Sequence, residues 1–309
     1  MSRVELPPAL VAFAARGKAW ADWLDNLPGL VSDILAEWGL TVDGPLAHGY
    51  CALVVPVRAP DGRPAVAKFS WPHDEEEHEH IGLKALAGAG AALLYRADPA
   101  RHVMLLERLH ADRDLTSIDV LGACEVVAGL YACIHIAAPA QLRPLTAYVR
   151  RWNDDLRRMP RSAPIPRRLV EQAVRLADDL SADPACVGTM IHGDLHYENV
   201  LAGDREPWLV IDPKPMSGDP HYEVAPMLWN RWEEAVARDN LRAAIRRRFE
   251  TIVSSSGLDE ERARDWVVVR MVHNAMWSVK DAADQGRGLD REDREWITRC
   301  VALAKAVQD

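Results

Sequence analysis

The first part of the chain changes from a helical to an alternating hydrophobic pattern. From Pro8 to Trp38, apolar residues recur at helical spacing, which predicts two helices with one apolar face and a break at Pro28-Gly29. Two short apolar runs follow, Tyr50 to Arg58 and Pro64 to Ser70, and the turn-forming Pro60-Asp61-Gly62 separates them. These runs predict a β-hairpin.

A charged helix and a second strand pair come next. Asp74 to Leu86 begins with acidic residues, which favour a helix N-terminus, and continues with an apolar face up to Gly88-Ala89-Gly90. Ala91 to Tyr95 and His102 to Glu107 predict two further strands. Glu107-Arg108-Leu109 then leaves the second strand as a hinge.

Beyond this hinge the periodicity becomes mainly helical. The change predicts an α+β fold of two closely packed lobes: residues 1–107 with a small antiparallel sheet and helices, and residues 108–309, mostly helical. The predicted helices of the second lobe run from Ile118 to Ile136, Leu142 to Met159, Pro166 to Leu180, Val224 to Ala237, Leu241 to Ser255, Asp259 to Gln285 and Asp290 to Val307.

Composition narrows the class of protein. The 309 residues are 49% hydrophobic, enough for a large core, and the formal charge of -9 argues against a nucleic-acid binder. The five cysteines are scattered without a CxxC pair, which indicates buried thiols in a reducing compartment. Neither a signal peptide nor a long apolar run is evident, so we expect a cytoplasmic protein without membrane partners. We also expect a monomer.

One polar motif interrupts the helical half and carries the candidate chemistry. Asp194 and Asn199 lie on a short loop between apolar flanks, and Asp212 ends the apolar run Leu209-Val210-Ile211. A loop and a strand end can bring these side chains together around a magnesium-bound nucleotide. Asp194 would accept the proton of an acceptor hydroxyl, and Asn199 and Asp212 would bind the metal.

Lys68 is the candidate phosphate ligand on the nucleotide side. Strand alternation in Ala65-Val66-Ala67-Lys68-Phe69 can turn its ammonium group towards the cleft. Such a lysine needs a carboxylate partner, and the cluster from Glu75 to Glu79 offers several. We favour Glu79, because it lies nearest to the apolar face of the helix.

Two other interpretations stay open on the residues alone. His192, Asp194 and His196 form an HxDxH pattern that could bind the metal of a hydrolase, with Asp212, His221 or Glu223 as further ligands. Lys68 and Asn199 would then have no role, and each histidine is explained more simply by hydrogen bonds to nearby carbonyls. The second alternative is a nucleotide-binding module without catalytic activity.

The tryptophans of the second lobe offer a binding surface. Their spacing fits core packing, but some could wall a pocket for a sugar or a cation, with acidic residues beside them. We expect Glu223, Trp229 and Trp232 to contact the acceptor. The other candidates are Trp152, Trp266 and Trp277, and the acids Glu233, Glu234, Asp281 and Asp284.

The motifs together resemble the aminoglycoside phosphotransferases. The resemblance rests on His192-Gly193-Asp194-Leu195-His196 with Asn199, on the Asp212 strand, and on Lys68 and Glu107-Arg108-Leu109. Four further segments resemble the streptomycin 6-kinase and hydroxyurea phosphotransferase branch. They are Ala65 to His73, Leu105 to Leu109, Ile134 to Pro139 and Gly218 to Asn230.

The resemblance implies a protein-kinase-like fold and a kinase that uses Mg²⁺ and ATP. It implies Asp194 as the catalytic base, Asn199 and Asp212 as magnesium ligands, and Lys68 with Glu79 as the phosphate-binding pair. Glu107 and Leu109 would lie at the nucleotide. The implied substrate is a small hydroxylated molecule such as an aminocyclitol antibiotic; an amino sugar, a sugar or a hydroxyurea-like compound is the alternative. Tyr197-Glu198 and Glu223 depart from the family pattern of Pro-Gly and aspartate.

Overall fold

The computed structural model describes residues 5–73 and 76–308, with strands concentrated in the first third and helices thereafter. The strands are β1 (Thr41–Val42), β2 (Ala47–His48), β3 (Ala52–Arg58), β4 (Pro64–Ser70), β5 (Leu94–Asp98), β6 (Val103–Glu107), β7 (His110–Asp114), β8 (Thr189–Ile191), β9 (Val200–Ala202), β10 (Leu209–Val210) and β11 (Met216–Gly218). The helices are α1 (Pro8–Val11), α2 (Lys18–Trp38), α3 (Glu79–Leu86), α4 (Val120–Ile134), α5 (Leu145–Arg158), α6 (Arg167–Ala182), α7 (Val224–Trp229), α8 (Trp232–Val236), α9 (Leu241–Ser256), α10 (Glu260–Asp284) and α11 (Arg291–Ala306).

An antiparallel sheet positions Lys68. Within the described part, β1, β3, β4, β6 and β5 are successive neighbours, and β2 pairs with β3. The predicted hairpin of β3 and β4 is confirmed by their continuous pairing. In β6, Val103 and Leu105 pack against α2, whereas Met104 and Leu106 join the core of the helical region. Lys68 lies opposite Met104 in the β4–β6 pairing, so alternation turns it to the face that meets the helices.

The helix α2 is longer than predicted. It runs unbroken through Pro28, although proline cannot donate the helical hydrogen bond at its position. Its buried face, which includes Leu24, Leu27 and Val31, packs against the sheet and holds both halves of the helix in line. Burying a large apolar side chain contributes about 1.5–3 kcal/mol, so several such contacts outweigh one lost hydrogen bond.

Two other predicted helices were placed wrongly. α3 begins at Glu79, after a turn over Glu76 to His78, and residues 74 and 75 lie outside the described residues. The predicted helix from Val224 to Ala237 is divided into α7 and α8, because Arg231 has a left-handed backbone with φ 51°. The buried Arg248 donates to the carbonyls of Asn230 (2.8 Å) and Arg231 (2.9 Å), which stabilises this break.

Short strands frame the candidate catalytic loop. β8 leads into it and pairs with β11, and β9 leads out of it and pairs with β10. The long helix α10 packs against α5, α6, α7 and α11 and forms the centre of the helical region. The loop therefore lies on a floor of buried helices.

Backbone hydrogen bonds join the sheet region to the β9–β10 hairpin. Val210 donates to the carbonyl of Gly90 (2.9 Å), and Ala92 donates to the carbonyl of Val210 (3.0 Å). Arg205 adds hydrogen bonds to the carbonyl of Ala91 (2.8 Å) and to the carboxylate of Glu107 (3.0 Å). The predicted lobe boundary after residue 107 falls in the two-residue connection between β6 and β7.

The described helices include none that is both long and apolar enough to cross a bilayer. Cys124, Cys186 and Cys300 are buried as predicted, Cys51 is half-buried, and the prediction was wrong for Cys133, which is exposed.

Candidate active site

A buried carboxylate and a buried guanidinium group hold the loop that carries Asp194. The Glu223 carboxylate accepts the backbone N–H groups of His192 (2.8 Å) and Gly193 (2.9 Å). Arg270 donates to the carbonyl of Gly193 (2.6 Å). Charge-assisted hydrogen bonds of this kind fix a loop backbone firmly. Asp194 follows directly; its carboxylate is half-exposed, and its Oδ2 lies 3.9 Å from His196 Nε2.

His192 is a structural residue of this loop. Its Nε2 donates to the carbonyl of Ile211 (2.9 Å), and its Nδ1 accepts the backbone N–H of Asp194 (3.2 Å). Burial lowers the pKa of His192, which favours the neutral tautomer that these two bonds require. His221 also uses both ring nitrogens, with Asp219 and with the backbone N–H of Asp259. The HxDxH hydrolase alternative therefore loses two of its candidate ligands.

The segment after β10 crosses the catalytic loop at close range. The backbone N–H of Ile211 donates to the carbonyl of Asn199 (2.9 Å), and the backbone N–H of Lys214 donates to the carbonyl of His192 (2.7 Å). Gly193 has φ 84°, and a Cβ atom added there would lie 2.5 Å from the carbonyl oxygen of Lys214. Glycine is therefore required at this crossing. Asp212 has φ 55°, a strained backbone for aspartate that brings its carboxylate towards Lys68.

Asp212 and Lys68 belong to a network of two lysines and three carboxylates. Lys68 Nζ lies 2.6 Å from Glu79 Oε2 and 3.4 Å from Glu76 Oε2, and it also donates to Asp212. Lys214 Nζ lies 3.0 Å from the second oxygen of Asp212 and donates to Glu76. The structure thus places Glu79 beside Lys68, as predicted, and adds Glu76 and Lys214.

The charges of the network shift one another's pKa values. Burial alone would raise the pKa of Asp212, but the ammonium groups of Lys68 and Lys214 lower it. Burial raises the pKa of Glu79 well above its ordinary value, and the nearby carboxylates of Glu76 and Asp212 add to this. Glu79 is therefore the carboxylate of the network that is most readily protonated.

Asp212 is the carboxylate of the network that could also hold a magnesium ion. Within residues 5–73 and 76–308, oxygen atoms of Glu76, Glu79 and Asp212 lie within 4.8 Å of one another, but all three carboxylates already contact Lys68 Nζ. Magnesium needs few protein oxygen ligands when phosphates and waters complete its shell, so Asp212 and the Asn199 carboxamide would suffice. Asp212 is the accessible member, with 33% of its side chain exposed. The Asn199 amide donates to the carbonyl of Asp194 (2.9 Å), which orients its carboxamide.

A pocket of about 400 Å³ opens beside Asp194 and Lys214. Aromatic side chains line much of it, and Trp152 and Trp277 meet edge to face at 4.8 Å between ring centroids. Asp281 lies at its rim, and Arg270 contributes to its wall. The aromatic residues of the lining are Tyr148, Trp152, Tyr222, Trp229, Trp277 and Trp296.

The expected acceptor contacts agree only in part with this pocket. Trp229 lines it, but Glu223 is fully buried below the loop, and Trp232 lies under the guanidinium of Arg299 instead. The structure therefore does not bring these two predicted residues to the pocket: Glu223 binds the loop backbone, and the left-handed Arg231 separates Trp232 from α7. Trp266 is fully buried in the core.

The hinge residues engage other protein groups. The Glu107 carboxylate accepts the backbone N–H of Leu93 (3.0 Å) and pairs with Arg205, so its side chain holds the connection. Leu109 is half-buried beside Gly203. The sequence analysis did not identify Lys214, Arg270 or Trp296; the signal for Lys214 was its place two residues after Asp212.

Similarity to characterised proteins agrees with this geometry. Residues 37–282 match the family model for aminoglycoside/hydroxyurea antibiotic resistance kinases, which covers more than half of the chain. A streptomycin 6-kinase from Streptomyces glaucescens is 39% identical over 286 residues, which are 91% of this chain and 92% of that protein. The chain belongs to the aminoglycoside/hydroxyurea antibiotic resistance kinase family.

Membership confirms the resemblance seen in the sequence and makes the chain a small-molecule phosphotransferase that uses ATP. A hydroxyurea phosphotransferase from Kitasatospora aureofaciens is 38% identical over 289 residues, 90% of this chain and 81% of that protein. The crystal structure of aminoglycoside phosphotransferase APH(4)-Ia with ADP and hygromycin B covers 90% of this chain and 98% of its own, with 15% identity and a TM-score of 0.60. This likeness confirms the predicted α+β, protein-kinase-like fold.

Proposed function

We propose that this kinase transfers the γ-phosphoryl group of Mg-ATP to a hydroxyl of a cationic aminocyclitol antibiotic of the streptomycin type. The observation that carries the proposal is the position of Asp194. Its carboxylate lines the aromatic pocket of about 400 Å³, and Lys214, which lines the same pocket, is bonded to Asp212 of the ion network. One carboxylate therefore faces the acceptor at the point where the phosphoryl group would arrive.

The pocket suits a large cationic acceptor better than a very small neutral one. Its volume falls within the range of about 300–1,000 Å³ that is typical of small-molecule sites. Trp152 and Trp277 can contact a guanidinium or ammonium group, and Asp281 can pair with it, whereas Arg270 already covers one face of Trp229. A hydroxyurea-like molecule would contact few of these side chains.

The proposed reaction is a direct in-line displacement. Asp194 accepts the proton of the attacking hydroxyl, and Lys68, oriented by Glu79, binds the α and β phosphates. Asn199 and Asp212 would hold magnesium, which supplies positive charge to the phosphoryl oxygens. In this proposal the protein accelerates transfer by positioning the two substrates and by stabilising charge, and a phosphoenzyme is not required.

We extend the proposal to the organisation of the protein. Residues 1–107 and 108–309 act as two lobes, and the backbone of Glu107 and Leu109 contacts the base of the nucleotide. We also propose a monomer; the large apolar side chains that are exposed in the described part are few. They are Val11, Val42, Tyr50, Val187 and Val236. We place the reaction in the cytoplasm, where ATP is present.

An acceptor panel tests the proposed function. Purified protein with Mg-ATP is incubated with streptomycin, another aminoglycoside, an amino sugar and hydroxyurea, and ADP release and product mass are measured. We expect streptomycin to gain one phosphoryl group, and the Asp194→Asn protein to give no product. Turnover with hydroxyurea but not with streptomycin would reverse the substrate assignment. ATP binding without turnover on any acceptor would indicate the non-catalytic module.

A further inference from the structure

Lys214 connects the ion network with the acceptor pocket. Its ammonium group donates to Asp212 (3.0 Å) and to Glu76, and its side chain is only 17% exposed. The same residue lines the pocket together with Asp194. Lys214 therefore lies between the metal-site carboxylate and the proposed catalytic base.

The backbone around Lys214 fixes this location. Pro213 and Pro215 flank it and restrict the conformations of the segment. Gly82 of α3 packs so closely on Pro215 that an added Cβ atom would lie 2.9 Å from the ring. Because α3 also carries Glu79, its contact with Pro215 keeps the glutamate side of the network and Lys214 in register.

We propose that Lys214 is a catalytic residue whose ammonium group binds the γ-phosphoryl oxygens on the acceptor side during transfer. The inference rests on the proposed function and adds a second lysine to it. Lys68 would bind the α and β phosphates from the sheet, whereas Lys214 would meet the group that moves. The division of labour follows from their positions, since Lys214 but not Lys68 lines the acceptor pocket.

The chemical step balances with this assignment. The acceptor oxygen forms a bond to the γ-phosphorus as the bond from phosphorus to the β–γ bridging oxygen breaks, and ADP leaves. The hydroxyl proton goes to Asp194, and Lys214 keeps its own proton throughout. Its ammonium group stabilises the negative charge on the phosphoryl oxygens, which must pass from the nucleotide site to the pocket.

Charge balance explains why Lys214 is available for this role. Three carboxylates face two lysines, and both Asp212 oxygens accept hydrogen bonds from the lysines. A cation bound by Asp212 would compete with Lys214 for the carboxylate and repel its ammonium group. The γ-phosphoryl group of a bound nucleotide would then replace Asp212 as the second anionic partner of Lys214, while Glu76 continues to hold Lys214 in place.

Lys214→Gln separates this role from a structural one. Glutamine can still donate a hydrogen bond to Asp212 or Glu76, but it carries no charge. We expect kcat to fall about 100-fold or more. The melting temperature should also decrease, because Glu76 and Asp212 lose a charged partner, so the nucleotide affinities described next distinguish the catalytic role from a structural one. The matched control is Lys84→Gln on the exposed side of α3, which should keep normal kcat. A Lys214→Gln enzyme within about fivefold of normal kcat would overturn the assignment.

Nucleotide binding gives a readout independent of turnover. The affinities for AMP-PNP and ADP are measured by titration calorimetry with magnesium. We expect Lys214→Gln to weaken AMP-PNP at least about tenfold and ADP less than about threefold, because only AMP-PNP presents a γ-phosphoryl group. Equal weakening of both nucleotides would contradict the proposal. This difference can be measured even if the panel yields no acceptor, so a failure of the proposed function is distinguishable from a failure of this inference.

Discussion

The two sides of the cleft are built on different principles. On the nucleotide side, Lys68, Glu76, Glu79, Asp212 and Lys214 are bonded to one another and come from three separate segments of the chain. On the acceptor side, aromatic faces and a rim carboxylate surround a pocket of about 400 Å³. The first side specifies a reaction, because its charged groups are held at defined positions by one another. The second specifies a substrate by shape and surface, so changes there should alter acceptor binding selectively.

The largest expected effect comes from replacing Asp194, the proposed catalytic base between the two sides of the cleft. Asp194→Asn should lower kcat about 10³- to 10⁴-fold for every acceptor, because the hydroxyl proton loses its acceptor. Initial-rate kinetics and ADP titration measure the two effects. ADP affinity should stay normal, and a residual kcat above about one tenth of normal would remove Asp194 from its role.

A change on the nucleotide side should affect ATP before it affects the acceptor. Lys68→Met removes the ammonium group that Glu79 and Asp212 share, and kcat/KM for ATP should fall about 100-fold or more. The acceptor KM should change little. Kinetics with ATP and acceptor varied in turn provide the measurement, and Lys84→Met on α3 is the control. A larger effect on acceptor KM than on ATP would refute the separation.

A substitution of Glu223 tests how the loop that carries Asp194 is held in place. Glu223→Gln replaces one carboxylate oxygen with an N–H₂ group that cannot accept the backbone N–H it faces. We expect a loss of about 2–3 kcal/mol in the free energy of unfolding and a decrease in kcat. Denaturant unfolding and steady-state kinetics measure both. An effect confined to acceptor KM would instead restore the substrate role that the sequence suggested.

The aromatic wall should act on the acceptor alone. Trp277→Ala removes one face of the Trp152–Trp277 pair, and the KM for a cationic acceptor should rise about tenfold while ATP KM stays unchanged. Trp232→Ala is the matched control, since Trp232 packs on Arg299 outside the pocket. Equal effects of the two substitutions would mean that the pocket is not the acceptor site.

The smallest expected effect tests whether Asp281 gives the pocket a preference for a cationic acceptor. Asp281→Asn should raise the KM for streptomycin about three- to fivefold, and less at high salt, because an exposed ion pair contributes under about 1 kcal/mol. The KM for hydroxyurea should not change. Asp284→Asn on the same helix is the control. Insensitivity of streptomycin kinetics to charge at position 281 would leave the aromatic wall as the source of selectivity.

Most residues of the nucleotide side could be predicted from the sequence, but few residues of the acceptor pocket could. Asp194, Asn199 and Asp212 lie within one short stretch, so local spacing predicted that their segments are neighbours, as the hydrogen bonds from Asn199 to Asp194 and from Ile211 to Asn199 show. Strand alternation predicted the orientation of Lys68. The pocket instead collects residues from helices far apart in sequence, and their meeting depends on tertiary packing. Trp229 and Trp232 show the limit: three residues apart, they are separated by the left-handed Arg231, which no periodicity reveals.

The hydrogen bonds between Val210 and the segment from Gly90 to Ala92 hold the sheet region and the β9–β10 hairpin together along one edge of the cleft. Because this edge is fixed, relative movement of the two regions is limited there. Asp212 lies two residues after Val210 at this edge, and Lys68 is connected to the same edge through the neighbouring strands β4, β6 and β5. We therefore expect that any relative movement of the sheet region and the helical region displaces these two side chains less than groups that lie farther from this edge.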